Sequence, residues 1–329
     1  MAKAIATTVI GAYPKIGDEL PLQSLRRALH EFDRGELDQT ALDAEFDRAT
    51  VRAVREMEEL GVDVPNHGCV RFDDLFAPFM RVWRNTSREA LERWFDNNTY
   101  FRIPTVAGPL EATGPATVRE FEVARGATQR RVKAAVCGPL TFARLADDRH
   151  YRDRESLALA AAEALRSEVV ALAAAGCDLV DVEDPALARW PEDFALAPRV
   201  YGALAKGSGA RIAVHLTMFP ADAVAARLGE LPVAQIGIDV RSRPTRALER
   251  VQLSDQTLVL GVVDARNTKL ETDAEIARVV DAASRRVDAS RIWLAPTTSL
   301  EYLPHDVARA KLRALAAGAR AALVAGGVR

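Results

Sequence analysis

Eight short apolar runs punctuate the chain, and each is followed by a longer segment with the period of a helix. The runs are rich in Val, Ile and Leu, as expected for strands of a parallel sheet that is buried on both faces. The intervening segments carry helix signals, such as the capping box of Thr272 and Glu275. Eight strand–helix units in 329 residues predict an α/β fold, a (β/α)8 TIM barrel. The predicted strands are 5–10, 62–64, 132–137, 179–182, 212–214, 233–238, 258–263 and 292–294.

One segment interrupts this alternation. Residues 81–111 are too long for an ordinary loop between a strand and the next helix, and they contain several aromatic and apolar side chains. We predict a helix and an extra hairpin here, inserted after strand 2. No stretch rich in Gly, Ser or Pro divides the chain, so we predict a single domain over residues 1–329.

The composition excludes several classes of partner. With 44 basic and 46 acidic residues the formal net charge is −2, so no overall field favours nucleic acid or an anionic membrane. No apolar run approaches the roughly 20 residues needed to cross a bilayer. Three cysteines indicate a reducing compartment, and residues 1–5 enter the first strand without the apolar core of a signal peptide. We therefore expect a cytoplasmic protein whose partner is a small-molecule substrate.

In a barrel of this kind, the loops that follow the strands carry the chemistry. Glu183 and Asp184 stand together past one strand, where either carboxylate can serve as a general base or bind an ammonium group. Asp239 is predicted to pair with His215 and to set the tautomer of its ring for acid–base work. The alternative for each is a loop residue that only binds water or a neighbour. We assign catalysis to His215, Asp239, Glu183 and Asp184.

Two further strand ends carry polar pairs. His67 and Cys69 have the spacing of a metal pair or of a reactive thiol beside an imidazole, whereas the alternative is a buried cysteine with a packing role. Asp264, together with Arg266 and Asn267, fits a carboxylate or a pterin-like ring, and loop capping explains these residues equally well.

Six motifs, taken in chain order, resemble those of cobalamin-independent methionine synthases, including the short archaeal-type forms. They are 7–15 (TTVIGAYPK), 67–74 (HGCVRFDD), 95–104 (FDNNTYFRIP), 137–141 (CGPLT), 181–187 (DVEDPAL) and 304–315. The resemblance covers essentially the whole chain. It implies one methionine-synthase-like catalytic barrel.

In that family, a zinc ion held by His, Cys, Glu and a second Cys keeps the acceptor thiol as a nucleophilic thiolate. By resemblance, the first ligand here is His215, and Asp239 replaces the glutamate. Thr217 and Thr298 stand where the two cysteines are expected. A neutral hydroxyl is a poor zinc ligand, so the resemblance implies a weak site for zinc or another divalent metal.

The substrate positions also depart from the family pattern. By resemblance, the amino group of homocysteine is held near the start of the second-strand motif, where Cys69 stands, and by an Asp-Glu pair that reads Glu183-Asp184 here. We assign substrate binding to Tyr13, His67, Cys69, Arg71, Asp264, Asn267 and Thr298.

Three functions stay open at this point. The first is methyl or alkyl transfer to a small amino-acid-like or thiol substrate without the usual zinc site. By resemblance its donor is methyl-folate or a methylcorrinoid, and a methyl-donor protein is a further candidate partner. The second is a metal-free acid–base enzyme, namely a lyase, hydrolase or isomerase. The third is a non-catalytic metabolite-binding homologue, because a fold alone does not decide a function.

Overall fold

The computed structural model describes residues 5–17 and 19–326. Residues 1–4, on which part of the interpretation of the N-terminus rests, lie outside the described residues. The described chain is an α/β fold around a mostly parallel, curled sheet. Its strands are β1 (Ala6–Thr7), β2 (Trp83–Arg93), β3 (Tyr100–Ala112), β4 (Ala134–Cys137), β5 (Asp147–Asp148), β6 (Leu179–Glu183), β7 (Arg211–Leu216), β8 (Gln235–Asp239), β9 (Thr257–Val263) and β10 (Ile292–Pro296).

The central sheet has the order β1-β10-β9-β8-β7-β6-β4, and all its neighbours are parallel. These seven strands lie on seven of the eight predicted runs. The eighth run, 62–64, forms no named strand in the described ranges. Instead Val64 bridges Thr8 beside β1, and Asn66 bridges Lys133 beside β4. The α/β class is confirmed, and this segment contacts both edges of the sheet.

The two faces of the sheet bury different residues, because successive side chains of a strand point to opposite sides. Leu258 and Leu260 of β9 belong to the main apolar core. Val259, which lies between them, packs with Ile10 and Ala295 in a second, small cluster on the other face. The curled sheet therefore encloses a narrow interior, and polar side chains on that inner face are removed from bulk water.

Helices cover the outer face of the sheet. They are α1 (Leu20–Asp33), α2 (Gln39–Glu59), α3 (Ala77–Met80), α4 (Val118–Gly126), α5 (Pro139–Leu145), α6 (Arg154–Ala174), α7 (Ala186–Arg189), α8 (Ala197–Ala205), α9 (Ala247–Arg250), α10 (Asp273–Ser284) and α11 (His305–Gly326). The capping box of Thr272 and Glu275 is confirmed at the start of α10. Asp153 likewise caps α6 by accepting the Ser156 N–H at 2.9 Å. None of the helices within residues 5–17 and 19–326 has the length and apolar character that crossing a bilayer requires.

The insertion is a hairpin, and the helix expected within it does not form. β2 and β3 pair antiparallel, and β5 adds a short parallel edge. The stretch from Ser87 to Arg93 has helix-forming residues, yet it is the outer strand of this hairpin. Pairing with β3, which is anchored in the core by Phe101 and Val106, overrides that local preference. The four-residue α3 precedes the hairpin.

Candidate active site

A cavity of about 330 Å³ opens at the carboxyl ends of the central strands. Its walls come from the loop after β1, the loop after residue 66, the hairpin tip, the end of β6 and the loop after β10. The lining includes Cys69, Trp94, Glu183, Ser299 and Tyr302. The cavity thus lies on the face where loops of parallel strands converge and where barrel enzymes place their chemistry.

Glu183 is the buried carboxyl group that reaches this cavity. Within residues 5–17 and 19–326, its side chain has neither a hydrogen-bond nor an ion-pair partner. Gly11, at a φ of +68°, leaves the space for it, because a Cβ there would lie 2.9 and 3.0 Å from the two Glu183 oxygens. Burial raises the pKa of Glu183 to about 8, the charge of Asp181 adds to the rise, and Lys133 opposes it. Glu183 therefore exchanges its proton near neutral pH.

Asp184 turns away from the cavity, because it follows Glu183 at the end of the strand. Its carboxylate accepts the N–H groups of Leu140 and Thr141 at 3.2 and 2.7 Å, and the Tyr201 hydroxyl at 2.8 Å. Burial raises the pKa of Asp184 to about 6, against the opposing effect of these donors. Asp184 fastens the start of α5 to the end of β6 and does not face the cavity.

Cys69 and His67 occupy different surroundings, although only one residue separates them. Cys69 lines the cavity, and burial raises the pKa of its thiol well above the ordinary value, with Glu120 and Glu183 adding to the rise. His67 lies outside the lining. Its Nε2 accepts the Ala135 N–H at 3.0 Å, and its Nδ1 lies 3.6 Å from the Glu120 carboxylate. The two side chains are therefore not arranged to bind the same metal ion.

His215 belongs to a fully buried group of ionisable side chains, the Lys133–Asp181–His215 triad. One oxygen of Asp181 lies 3.0 Å from His215 Nε2, and the other contacts Lys133 Nζ. Burial favours the neutral form of Asp181, but Lys133 and His215 outweigh it and hold the pKa below its usual range. The other ring nitrogen, Nδ1, packs on Gly237, where a Cβ would overlap it. The partner of His215 is therefore Asp181 and not Asp239, the partner that we predicted.

Asp239 and Asp264 close their own loops. Asp239 accepts two backbone N–H groups at 2.9 Å and the Ser242 hydroxyl. Asp264 accepts a backbone N–H at 2.8 Å and the side-chain amide of Asn267. Such bonds stabilise turns. Neither aspartate nor Asn267 is part of the cavity lining.

Thr217 and Thr298, for which the resemblance implies the two cysteine positions of the family, are almost fully buried. The described ranges contain no group of three or more His, Cys, Asp or Glu side chains arranged to hold a metal ion.

Tyr13 and Arg71 also lie outside the cavity lining and bind helix α2. The Tyr13 hydroxyl donates to Glu56 at 2.9 Å. Arg71 donates to Asp47 at 2.7 Å and also contacts Asp43. These two residues fasten the loops after β1 and after residue 66, so their effect on the cavity is indirect.

The hairpin tip is fastened across the carboxyl face of the sheet. Asp96 lies 2.7 Å from Arg266 and also contacts Arg243, and both arginines follow central strands. Phe95 packs edge-on against Phe219, with ring centroids 5.1 Å apart. The hairpin therefore forms one wall of the cavity.

The predicted site omitted Lys133, Asp181 and Tyr302. Alternation along β6 was an available signal for Asp181, which lies two residues before Glu183 and thus on the same face. Lys133 enters the triad only through the pairing of β4 with β6, and Tyr302 reaches the cavity from a loop. No pattern in their own segments indicates either placement.

Comparison of the chain with known proteins identifies its family. Residues 5–321 match the family described as cobalamin-independent synthase, catalytic domain. The methionine synthase of Saccharolobus solfataricus is 27% identical over 320 residues, covering 96% of this chain and 94% of that protein. The methionine synthase of Sulfurisphaera tokodaii is 26% identical over 317 residues, covering 96% and 92%.

Solved structures share the fold. A B12-independent methionine synthase from Shewanella sp. W3-18-1, in complex with selenomethionine, has a TM-score of 0.84 at 21% identity, covering 99% of both chains. A putative vitamin-B12 independent methionine synthase from Listeria monocytogenes has a TM-score of 0.75 at 17% identity, covering 97% of this chain and 98% of that one. The chain belongs to the cobalamin-independent synthase family and is a methyltransferase-like transferase of amino-acid metabolism.

Proposed function

We propose that this chain transfers a methyl or other alkyl group to or from a small substrate whose reacting atom is sulfur or nitrogen. The observation that carries the proposal is Glu183, a buried carboxyl group that faces the cavity and has no hydrogen-bond or ion-pair partner among residues 5–17 and 19–326. It belongs to the motif for which the resemblance implies contact with the substrate's amino group. The Shewanella synthase was solved with selenomethionine, which supports a small molecule as the occupant.

Alkyl transfer to a thiol or an amine frees one proton. The sulfur or nitrogen forms the new bond to carbon, the donor leaves with the electron pair of the broken bond, and a base takes the proton. Glu183, whose pKa burial raises to about 8, suits that task near neutral pH. Burial also raises the pKa of the Cys69 thiol and of the Tyr302 hydroxyl, so both stay protonated. Glu183 is the proton acceptor that we assign.

We further propose that the reaction proceeds without zinc at the four positions that the resemblance implies. Thr217 and Thr298 offer neutral hydroxyls, which are weak ligands for zinc. The Asp239 carboxylate is occupied by donors of its own loop. One ring nitrogen of His215 contacts Asp181, and the other, Nδ1, is left buried without a hydrogen-bond partner among residues 5–17 and 19–326. This donor set does not fit zinc, so we route no step through a metal-bound thiolate.

We also infer that residues 64–66 take the place of an eighth strand and close the sheet, which makes one catalytic barrel over residues 1–329. The two isolated bridges support this, because they join that segment to Thr8 beside β1 and to Lys133 beside β4, at the two edges of the sheet.

Methyl-folate, a methylcorrinoid and a methyl-donor protein are the donors to test, and the first two are small enough to be supplied free.

The test is a transfer assay with isotopically labelled methyl groups. Methyl-folate and methylcobalamin are each offered with thiol and amine acceptors, and labelled products are measured by mass spectrometry. Wild type should transfer the label, and Glu183→Gln should be slower by about 100-fold or more, because it lacks the base. Glu192→Gln, altered at an exposed carboxylate outside the cavity, is the matched control. Transfer by Glu183→Gln at the wild-type rate would overturn the proposal.

A further inference from the structure

The cavity lining is acidic, but most of its charge is already paired. Asp74 lies 2.8 Å from Arg88, and Asp73 lies 3.2 Å from the same guanidinium. Glu301 lies 2.7 Å from Lys15. These pairs neutralise the mouth of the cavity from outside, because neither basic side chain belongs to the lining. They leave the inner part of the cavity to a different carboxyl group.

Glu183 is the lining carboxyl group that has no such partner among residues 5–17 and 19–326. It is buried, and both its oxygens lie over the backbone of Gly11. An ionised carboxylate in such a place is costly unless a positive charge joins it. The protein provides Lys133 nearby, but that cation is already in contact with Asp181. A charge that compensates Glu183 therefore has to come from a ligand.

The rest of the lining suits alkyl groups on a cation, whereas for an anion it holds only uncharged donors, such as the hydroxyls of Thr99 and Ser299. Phe72, Trp94, Phe101 and Tyr302 contribute aromatic surface, which attracts cations that are partly stripped of water. No Lys, Arg or His is part of the lining that the structure describes. A ligand carboxylate would therefore lie among carboxyl groups of the lining, with uncharged donors but no basic side chain of the lining to compensate its charge.

We infer that the cavity binds a compact organic cation without a carboxylate, in which a nitrogen or sulfur centre carries small alkyl groups. The charged centre lies against Glu183, and the alkyl groups lie against the aromatic walls. This inference rests on the proposed function, because it names the chemical class of one reactant in the group transfer.

Binding of such a cation is linked to a proton. Asp181 and Lys133 face Glu183 from the interior, and Cys69 and Tyr302 face it from the cavity walls. Burial raises the pKa of Glu183 to about 8, so the cation binds as the carboxyl group releases its proton. Affinity should therefore increase with pH by about tenfold for each pH unit below about pH 8 and then level off.

The test is a set of titrations followed by calorimetry, in buffers from about pH 6 to about pH 9. The probes are choline, its neutral isostere in which carbon replaces the quaternary nitrogen, and glycine betaine, which adds a carboxylate. Choline should bind at least about tenfold more tightly than either, since only choline combines a positive charge with no negative one. Tetramethylammonium and trimethylsulfonium, titrated in parallel, distinguish a nitrogen centre from a sulfur centre.

The variants separate a charge effect from a loss of fold. Glu183→Gln should lose the preference for choline over the neutral isostere and the pH dependence of choline binding, while it keeps its affinity for the isostere. Glu192→Gln should behave as wild type. Equal affinity for choline and either comparison probe, or no binding of any cation, would overturn the inference. Methyl transfer that continues alongside preferred binding of a zwitterion would overturn the inference and leave the proposed function standing.

Discussion

Replacing Glu183 with glutamine should stabilise the protein, and the gain should increase with pH. Burial in the folded chain raises the pKa of Glu183 to about 8 from an ordinary value of 4.5. Between these values the folded chain keeps a proton that the unfolded chain releases. The free energy of unfolding of wild type therefore falls as pH rises. Glutamine has the shape of protonated glutamate and does not titrate, so the variant escapes this loss.

The magnitude follows from the two pKa values of Glu183. Each pH unit between them costs wild type about 1.4 kcal/mol, so the range from 4.5 to about 8 corresponds to roughly 5 kcal/mol. From about pH 6 to about pH 9, the free-energy difference between Glu183→Gln and wild type should grow by about 3 kcal/mol. A difference of this size lies well above the error of a denaturant titration.

The assay is urea unfolding followed by circular dichroism at both pH values, for wild type, Glu183→Gln and Glu192→Gln. Hydrogen bonds to Glu192, a backbone bond first and one from Arg144 after it, lower its pKa. The difference between Glu192→Gln and wild type should therefore be constant over this range. If the free-energy difference between Glu183→Gln and wild type is also constant over this pH range, the claim that burial raises the pKa of Glu183 is refuted.

Three further results follow from the buried polar groups. Lys133→Met should lower the free energy of unfolding by about 3–5 kcal/mol, because Asp181 loses its cation. The double variant Lys133→Met/Asp181→Leu should restore most of this loss. Additive losses of the two substitutions in urea titrations would contradict the pairing. Elemental analysis should find less than about one-tenth equivalent of zinc in wild type and no change in His215→Ala, because the donor set is weak; one equivalent that the variant loses would show that a metal site forms. Tyr201→Phe should cost about 1–3 kcal/mol in thermal or urea unfolding, since Asp184 stays buried with one donor fewer; an unchanged stability would mean that this bond adds nothing.

The sequence predicted the parallel strands well because burial on both faces leaves continuous apolar runs. Six runs became strands within two residues of the expected ends, whereas β1 ends at Thr7, three residues before the end of the run 5–10. The hairpin was harder, because residues 87–93 favour a helix locally and become a strand only through pairing with β3. The segment at 62–64 was expected to be a strand and makes single bridges, which no local pattern distinguishes from a short strand.

Within the site, alternation decides what the sequence can reveal. Applied strictly, it separates Glu183, which faces inward, from Asp184, which does not, and it places Asp181 beside Glu183. The contact of His215 with Asp181 could not be predicted in this way, because it depends on the register between β6 and β7. The turn that Asp239 closes could not be predicted in this way either, because backbone N–H groups of its own loop bind the carboxylate.

The hairpin and the central sheet contribute different kinds of side chain to the cavity. Strand ends supply the charged group of the cavity, whereas the hairpin supplies Trp94, Tyr100 and Phe101 to its wall. The insert is joined to the loops after β8 and β9 through Asp96, to Phe219 through the ring of Phe95, and to Asp74 through Arg88. Exchange of this one continuous segment would reshape the pocket and remove Arg88 from Asp73 and Asp74, whereas Glu183 on β6 would stay in place. Ligand preference can thus change between relatives by replacement of the hairpin, without any change in the sheet.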